Sequence, residues 1–286
     1  MKKTELSFWL VLWAVVLYAT VYPWLKPAPV EDIASLADWQ VPSKLESLDA
    51  ADQRKLLKRL AYPVAMPELL PVPDFDQYKD VVEKKKAFFD YLLPFIEREN
   101  ARLLHIRQQV IEVQQKQQQQ ELTVEEYAFI YSLYDEFKLD YPDVDAQGFR
   151  LLLSRVDAIP ADLVLIQAAK ESGWGSSRFA LEAYNFFGQW CFKAGCGLVP
   201  QKRSAGKYHE VAVFPHVAAA INSYFYNLNT FYVYEELRQL RAKRRAEGEV
   251  AGHHLVTGLI RYSERGKDYV DEIHTMLKAN TKHIDS

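Results

Sequence analysis

The chain has 286 residues, of which 49% are hydrophobic and 13% aromatic, and carries a net charge of −3. This length allows one large domain or two ordinary ones with a sizeable core, and the charge removes the electrostatic case for nucleic acid. At the N-terminus, Met1-Lys2-Lys3 precedes an apolar run from Leu6 to Leu25, long enough to cross a bilayer as a helix. Lys2 and Lys3 predict a cytoplasmic N-terminus with the remainder exported, and Trp9 and Trp24 stand where interfacial aromatics lie. The run ends in Val21-Tyr22-Pro23-Trp24, a poor small-x-small cleavage site, so an uncleaved single-pass inner-membrane anchor is expected over a removed signal peptide. In either case the rest of the chain is expected outside the cytoplasm, in the periplasm if the anchor stays.

Pro27 to Pro42 reads as a tether. Ser43 to Leu60 predicts a short helix with Ser43 as N-cap and Glu46 at the capping-box position. Pro63, Pro67, Pro71 and Pro73 make Tyr62 to Phe75 extended. A long charged helix follows, roughly Tyr78 to Gln119, with Pro94 as a candidate bend. Its apolar residues, among them Phe88, Leu92, Phe95, Ile96, Leu103, Ile106 and Val110, recur at three- and four-residue steps and imply a packed stripe. The glutamine-rich end, residues 114–120, is low complexity, and the sequence names no protein partner for this helix.

Thr123, with Glu126 three residues on, opens a helix to about Leu139. Tyr141-Pro142-Asp143 breaks it, and Ala146 to Val156 is helical again. Pro160 to Lys170 reads as an apolar helix stopped at Gly173. Val164, Ala168 and Glu171 share one of its faces, so Glu171 extends a buried stripe. Loss of solvation raises the pKa of such a carboxylate and suits it to donate a proton near neutral pH; the alternative is a surface glutamate in a last helical turn. Ser176 to Leu181 forms another turn of helix. Asn185 to Phe214 is irregular and β-prone, and His216 to Phe231, Tyr234 to Ala246 and Gly266 to Ala279 are helical. Arg238, Arg241, Lys243, Arg244 and Arg245 read as a solvated helix face, with contact to an anionic polymer or lipid as the alternative.

Three motifs in order carry a resemblance: Glu171-Ser172-Gly173-Trp174-Gly175, then Asn185-Phe186-Phe187-Gly188, then a second glutamate in Tyr208-His209-Glu210-Val211-Ala212-Val213-Phe214. This series resembles the bacterial glucosaminidase family that cleaves peptidoglycan, over roughly Asp145 to Lys282. The cysteines in Trp190-Cys191-Phe192-Lys193-Ala194-Gly195-Cys196-Gly197 look like its Bax-like branch. The resemblance implies a mainly α (α+β) fold, with a lysozyme-like helical domain and a small β flap over 121–286. Before it stand the membrane segment, 1–26, and the tether with the long helical region, 27–120.

The implied chemistry is cleavage of β-1,4 bonds at N-acetylglucosamine, with Glu171 as general acid and Glu210 as second carboxylate. Strand alternation places Tyr208, Glu210, Ala212 and Phe214 on one face, so Glu210 faces groove or solvent if Val211 and Val213 pack inward. The family's functional tyrosine matches Tyr224, with Tyr226 as the competing alignment. Its hydroxyl is expected to orient water or to bond the acetamido group. Asn185, Phe187 and Gly188 are expected to shape the cleft wall. Trp190 is a candidate stacking platform, and Trp174 either stacks on a sugar or fills the core. Cys191 and Cys196, in an exported chain, are expected to form a short disulfide that fixes local shape. Two cysteines supply only half a zinc site, so no metal and no cofactor are expected. The expected partner is the peptidoglycan strand. A lytic transglycosylase and a non-catalytic envelope scaffold are the competing functions.

Overall fold

Three helix starts among the described residues are written into short polar side chains, Thr123, Asp145 and Ser177. A computed structural model describes residues 49–61, 66–119, 121–200 and 209–284. The apolar run 6–25, the tether from Pro27 to Pro42, the cap residues Ser43 and Glu46, and Tyr208 lie outside the described residues. Helix α1 spans Ala50–Ala61 and α2 Val81–Gln119, the latter continuous through Pro94. Helix α3 is Val124–Glu136, where Thr123 and Glu126 close the expected capping box. Asp145 accepts from the amides of Gln147 and Gly148 at 2.9 and 2.8 Å and opens α4, Ala146–Arg155.

Helix α5, Ala161–Ser172, begins directly after Pro160. The buried-stripe reading understates it. Leu163 to Ala169 are all buried, Gln167 included, as befits a helix enclosed on every side. Helix α6 is Arg178–Ala183, α7 Val217–Thr230 and α8 Glu235–Ala246. The His216 ring caps α7 by accepting from Ala219 N at 3.1 Å. A short α9, Gly252–Leu255, runs into a 3₁₀ turn over Val256–Leu259, which periodicity did not foretell, and α10 is Lys267–Ile284.

The β flap has three short antiparallel strands in the order β1-β3-β2: Trp190–Cys191, Glu210–Ala212 and Gly197–Leu198. Trp190 pairs with Val211, and Gly197 with Ala212. The described molecule is mainly helical with this one small flap, as the resemblance implied. Among the described residues no helix is long and apolar enough to cross a membrane.

Helix α5 is the centre of the packing. Helices α2, α10 and α9 lie against it, and α7 and α4 pack on α2. The long helix therefore forms a wall of the helical core. Asn100 on α2 exchanges two hydrogen bonds with the backbone of Ile159, just before α5, at 2.8 and 2.9 Å. Of the basic run on α8, Lys243 and Arg244 stand on a solvated face as expected, whereas Arg238, Arg241 and Arg245 are drawn into the fold. Arg238 and Arg241 are buried; Arg241 donates to Asn229 Oδ1 at 2.7 Å and to Ser154 O at 2.9 Å. Arg245 donates to the buried Asp157 carboxylate at 2.7 Å. Burial of these guanidiniums is compensated by carbonyls and one carboxylate: Arg241 and Arg245 tie α8 to the α4–α5 connection, and Arg238 donates to Leu228 O and Phe231 O at the end of α7.

Candidate active site

Glu171 stands in the last turn of α5. The chain turns away from it through three consecutive left-handed residues, Gly173, Trp174 and Gly175, with φ of 59°, 58° and 79°. Two glycines take this conformation freely, whereas Trp174 is strained by it. Its ring is held on α2, 5.6 Å from both Phe88 and Phe89, with Lys85 Nζ 5.1 Å from the ring centre. Trp174 therefore belongs to the packing that holds the turn. Ser172 secures the same turn: its Oγ donates to Ala168 O at 2.6 Å and accepts from Gly175 N at 2.9 Å.

The carboxyl of Glu171 is half-buried. Desolvation raises its pKa above the ordinary value of 4.5, opposed by a hydrogen bond from the Tyr269 hydroxyl and by Lys170. Tyr269 lies on α10 and its own pKa is pushed up, first by burial and then by the neighbouring Glu171. Behind it runs a directional chain. The Tyr224 hydroxyl donates to Gln167 Oε1, and Gln167 Nε2 donates to the Tyr269 hydroxyl oxygen at 3.0 Å. The Tyr269 proton is thus left for Glu171. Tyr262 stacks on Tyr269, with centroids 5.6 Å apart and planes 10° apart.

Gly188 comes up against the Glu171 carboxyl. Its φ is +63°, and a Cβ placed there would lie 3.5 Å from Glu171 Oε2. The preceding residues hold it in place. Phe187 stacks on Tyr224 at 4.1 Å, and its carbonyl accepts from the Tyr262 hydroxyl at 2.8 Å. Asn185, buried, donates to Gln189 O at 2.8 Å and to Ala212 O at 2.9 Å, while its Oδ1 accepts from Gln189 N at 2.9 Å. Asn185, Phe187 and Gly188 thus form the segment that passes Glu171 and joins it to the flap.

Two expected site residues stand elsewhere than the sequence suggested. Tyr224 is fully buried, with its hydroxyl committed to Gln167, so it reaches Glu171 through Gln167 and Tyr269. Glu210 does not face groove or solvent. The condition for that placement fails, because Val211 is buried while Val213 is 45% exposed. Glu210 is itself buried and accepts backbone amides from Gly195 at 3.1 Å and Gly197 at 2.8 Å. Cys191 and Cys196 form the expected disulfide, closing that loop. Trp190 is 51% exposed and stacks on His209 at 4.0 Å.

Tyr269 and Gln167 were missed from sequence. Gln167 had a signal: it is the one strongly polar residue in the apolar stretch of α5, four positions before Glu171 and so on its face. Tyr269 had none, since it lies about a hundred residues away in an ordinary amphipathic helix.

A family model described as Glucosaminidase, Mannosyl-glycoprotein endo-beta-N-acetylglucosaminidase, matches residues 147–282. Protein bax of Escherichia coli (strain K12) is 32% identical over 215 residues, which cover 74% of this chain and 76% of that protein. No solved structure matches. The region that the family model matches includes Glu171, Gly188 and Tyr269, and the chain belongs to the glucosaminidase family, in its Bax-like branch.

Proposed function

We propose that this protein is a glycoside hydrolase that cuts β-1,4 bonds at N-acetylglucosamine in peptidoglycan, with Glu171 as general acid. The observation that carries the proposal is the half-buried Glu171 carboxyl, with the glycine of Asn185-Phe186-Phe187-Gly188 against it; the burial, which favours its protonated form, and the neighbouring Tyr269 hydroxyl support the same reading. Family membership supports glycoside hydrolysis. The apolar run 6–25 supports an exported, membrane-anchored enzyme and hence a cell-wall substrate over a glycoprotein.

In this reading burial favours the protonated form of Glu171, which gives its proton to the leaving glycosidic oxygen as the C–O bond breaks. The carboxylate so formed is what the Tyr269 hydroxyl stabilises, since an ionised acceptor makes the stronger hydrogen bond. Water then adds to the anomeric carbon and returns a proton to Glu171. Gly188 leaves room at the acid for the sugar, where any side chain would project.

The test compares wild-type protein with Glu171→Gln on purified peptidoglycan, with products read by mass spectrometry. The expected result is reducing-end N-acetylglucosamine from the wild type and a loss of about 10²–10⁴-fold in the variant. Anhydro ends would instead identify a lytic transglycosylase. Equal clearing by both proteins would remove Glu171 from the chemistry.

A further inference from the structure

Glu210 occupies the place of a second carboxylate, but its surroundings describe a different task. It is 7% exposed, and each of its oxygens accepts a backbone amide of one loop: Gly195 N on Oε1 at 3.1 Å and Gly197 N on Oε2 at 2.8 Å. Those amides flank Cys196, whose disulfide to Cys191 closes the same loop. The carboxylate and the two sulfurs all lie within 4.8 Å of one another. Gly195 adopts a φ of +79°, and a Cβ on Gly197 would lie 2.0 Å from Val211 O. The loop backbone is therefore wound so that two amides converge on one point. A carboxylate, with two acceptor oxygens and no donor, satisfies both at once. An amide side chain would meet one of those N–H groups with its own.

What the loop carries is aromatic and outward. Phe192 is 80% exposed, and Trp190 is 51% exposed with its ring lying on His209. Trp190 follows by two residues the glycine that lies against the Glu171 carboxyl. Exposed aromatic rings close in the chain to a half-buried carboxyl are surfaces suited to the apolar face of a sugar ring.

We infer that Glu210 is a positioning residue: it braces the disulfide loop so that Trp190 and Phe192 present a stacking platform for a sugar unit of the glycan, and it takes no part in bond cleavage. The inference rests on the glycoside hydrolase reading for its substrate class, whereas the brace itself does not depend on substrate.

Two measurements test it separately. Amide hydrogen exchange at Gly195 and Gly197, followed by NMR without substrate, is expected to be protected in the wild type. In Glu210→Gln it should be about 10–100-fold faster, the loss expected for one charge-assisted hydrogen bond. Unprotected amides in the wild type would overturn the brace, even if the variant fails to fold. Chitotetraose is the second probe, titrated into Glu171→Gln protein. Adding either Glu210→Gln or Trp190→Ala is expected to weaken its binding about tenfold, Trp190→Ala leaving both amides protected. In otherwise wild-type enzyme, Glu210→Gln should raise KM while kcat stays within about threefold. A collapse of kcat with amides and affinity unchanged would show that Glu210 reacts. If Glu171→Gln proves fully active, the hydrolase reading falls while the exchange result still decides the brace.

Discussion

Glu171 is held between opposed influences, and in the proposed hydrolase their balance sets the pH at which it can donate a proton. Burial pushes its pKa up from 4.5; the Tyr269 hydroxyl pulls it down by donating to the ionised form. Tyr269→Phe removes only the second influence, so the pKa rises further. The alkaline limb of the rate profile, where the acid form is lost, should then move to higher pH by about one unit, since a hydrogen bond to a charged group is worth about 1.5–3 kcal/mol. A pH–rate profile with an unmoved alkaline limb would separate Tyr269 from the acid. The same raised pKa has a consequence for stability. A carboxyl whose folded pKa exceeds its unfolded value binds more protons in the native state, so the fold loses stability as pH rises through that window. Glu171→Gln carries no such penalty. Its Tm should exceed that of the wild type at pH 7, by about 2–4 °C for each kcal/mol released. The gap should close as pH falls below 4.5. Thermal melts at several pH values check this, and equal Tm values throughout would mean that the carboxyl is not held against its ionisation.

At the scale of elements, the turn after Glu171 is fastened from outside the matched family region. Phe75, in the 3₁₀ turn Phe75–Gln77, is buried against Phe88 and Tyr91 with centroids at 5.4 and 6.1 Å. It presses so closely on Gly175 that a Cβ there would lie 2.2 Å from its ring. Beside it Asp76 accepts from Ser176 Oγ at 2.6 Å and from Lys84 Nζ at 2.8 Å. Phe75→Ala should cost about 3–5 kcal/mol by emptying this site, whereas Phe75→Leu should cost about 1.5 kcal/mol or less. Thermal denaturation of the two variants is the measurement, and equal Tm losses would deny the ring its role. Much of this architecture was legible where local chemistry decides it: the Thr123–Glu126 capping box, the Gly173 stop, the long apolar stripe of α2. The parts that could not be read are those set by tertiary contact. Nothing local in Asp157 announces the guanidiniums that converge on it, so the basic run of α8 reads as solvated. Strand alternation at Glu210 fails because β3 has only three residues, and the loop amides, not the pleat, decide where its carboxylate goes. The Tyr269–Gln167–Tyr224 chain joins three helices, and only Gln167 betrays itself as a polar residue in an apolar run.

On the scale of the whole molecule, the matched region and the folding unit do not coincide. The family model begins at residue 147, yet Phe88, Leu92, Ile96, Leu103, Ile106 and Val110 on α2 are all buried, and α2 packs on α5 and α7. Asn222 of α7 reaches Glu99 of α2 at 3.1 Å, where that glutamate is paired with Arg102 in a buried site. Removing α2 would uncover the side of α5 that backs Glu171 and strand Asn222 without its partner. Burying one such side chain is worth about 1.5–3 kcal/mol, so six of them together, about 9–18 kcal/mol, are comparable to the whole stability of an ordinary domain, about 5–15 kcal/mol. A fragment of residues 121–286 is therefore expected to show no cooperative melting transition, while residues 66–286 keep both the transition and the activity. Calorimetry and peptidoglycan digestion with the two fragments distinguish these outcomes. A cooperative, active 121–286 fragment would mean that α2 is an appendage and that the helices after it close a core by themselves. The expected result makes the long helix a fixed wall behind Glu171: the Trp174 ring lies on α2, its amide donates to Ala169 O of α5 at 2.9 Å, and the strained turn so fastened keeps the Glu171 carboxyl at Gly188.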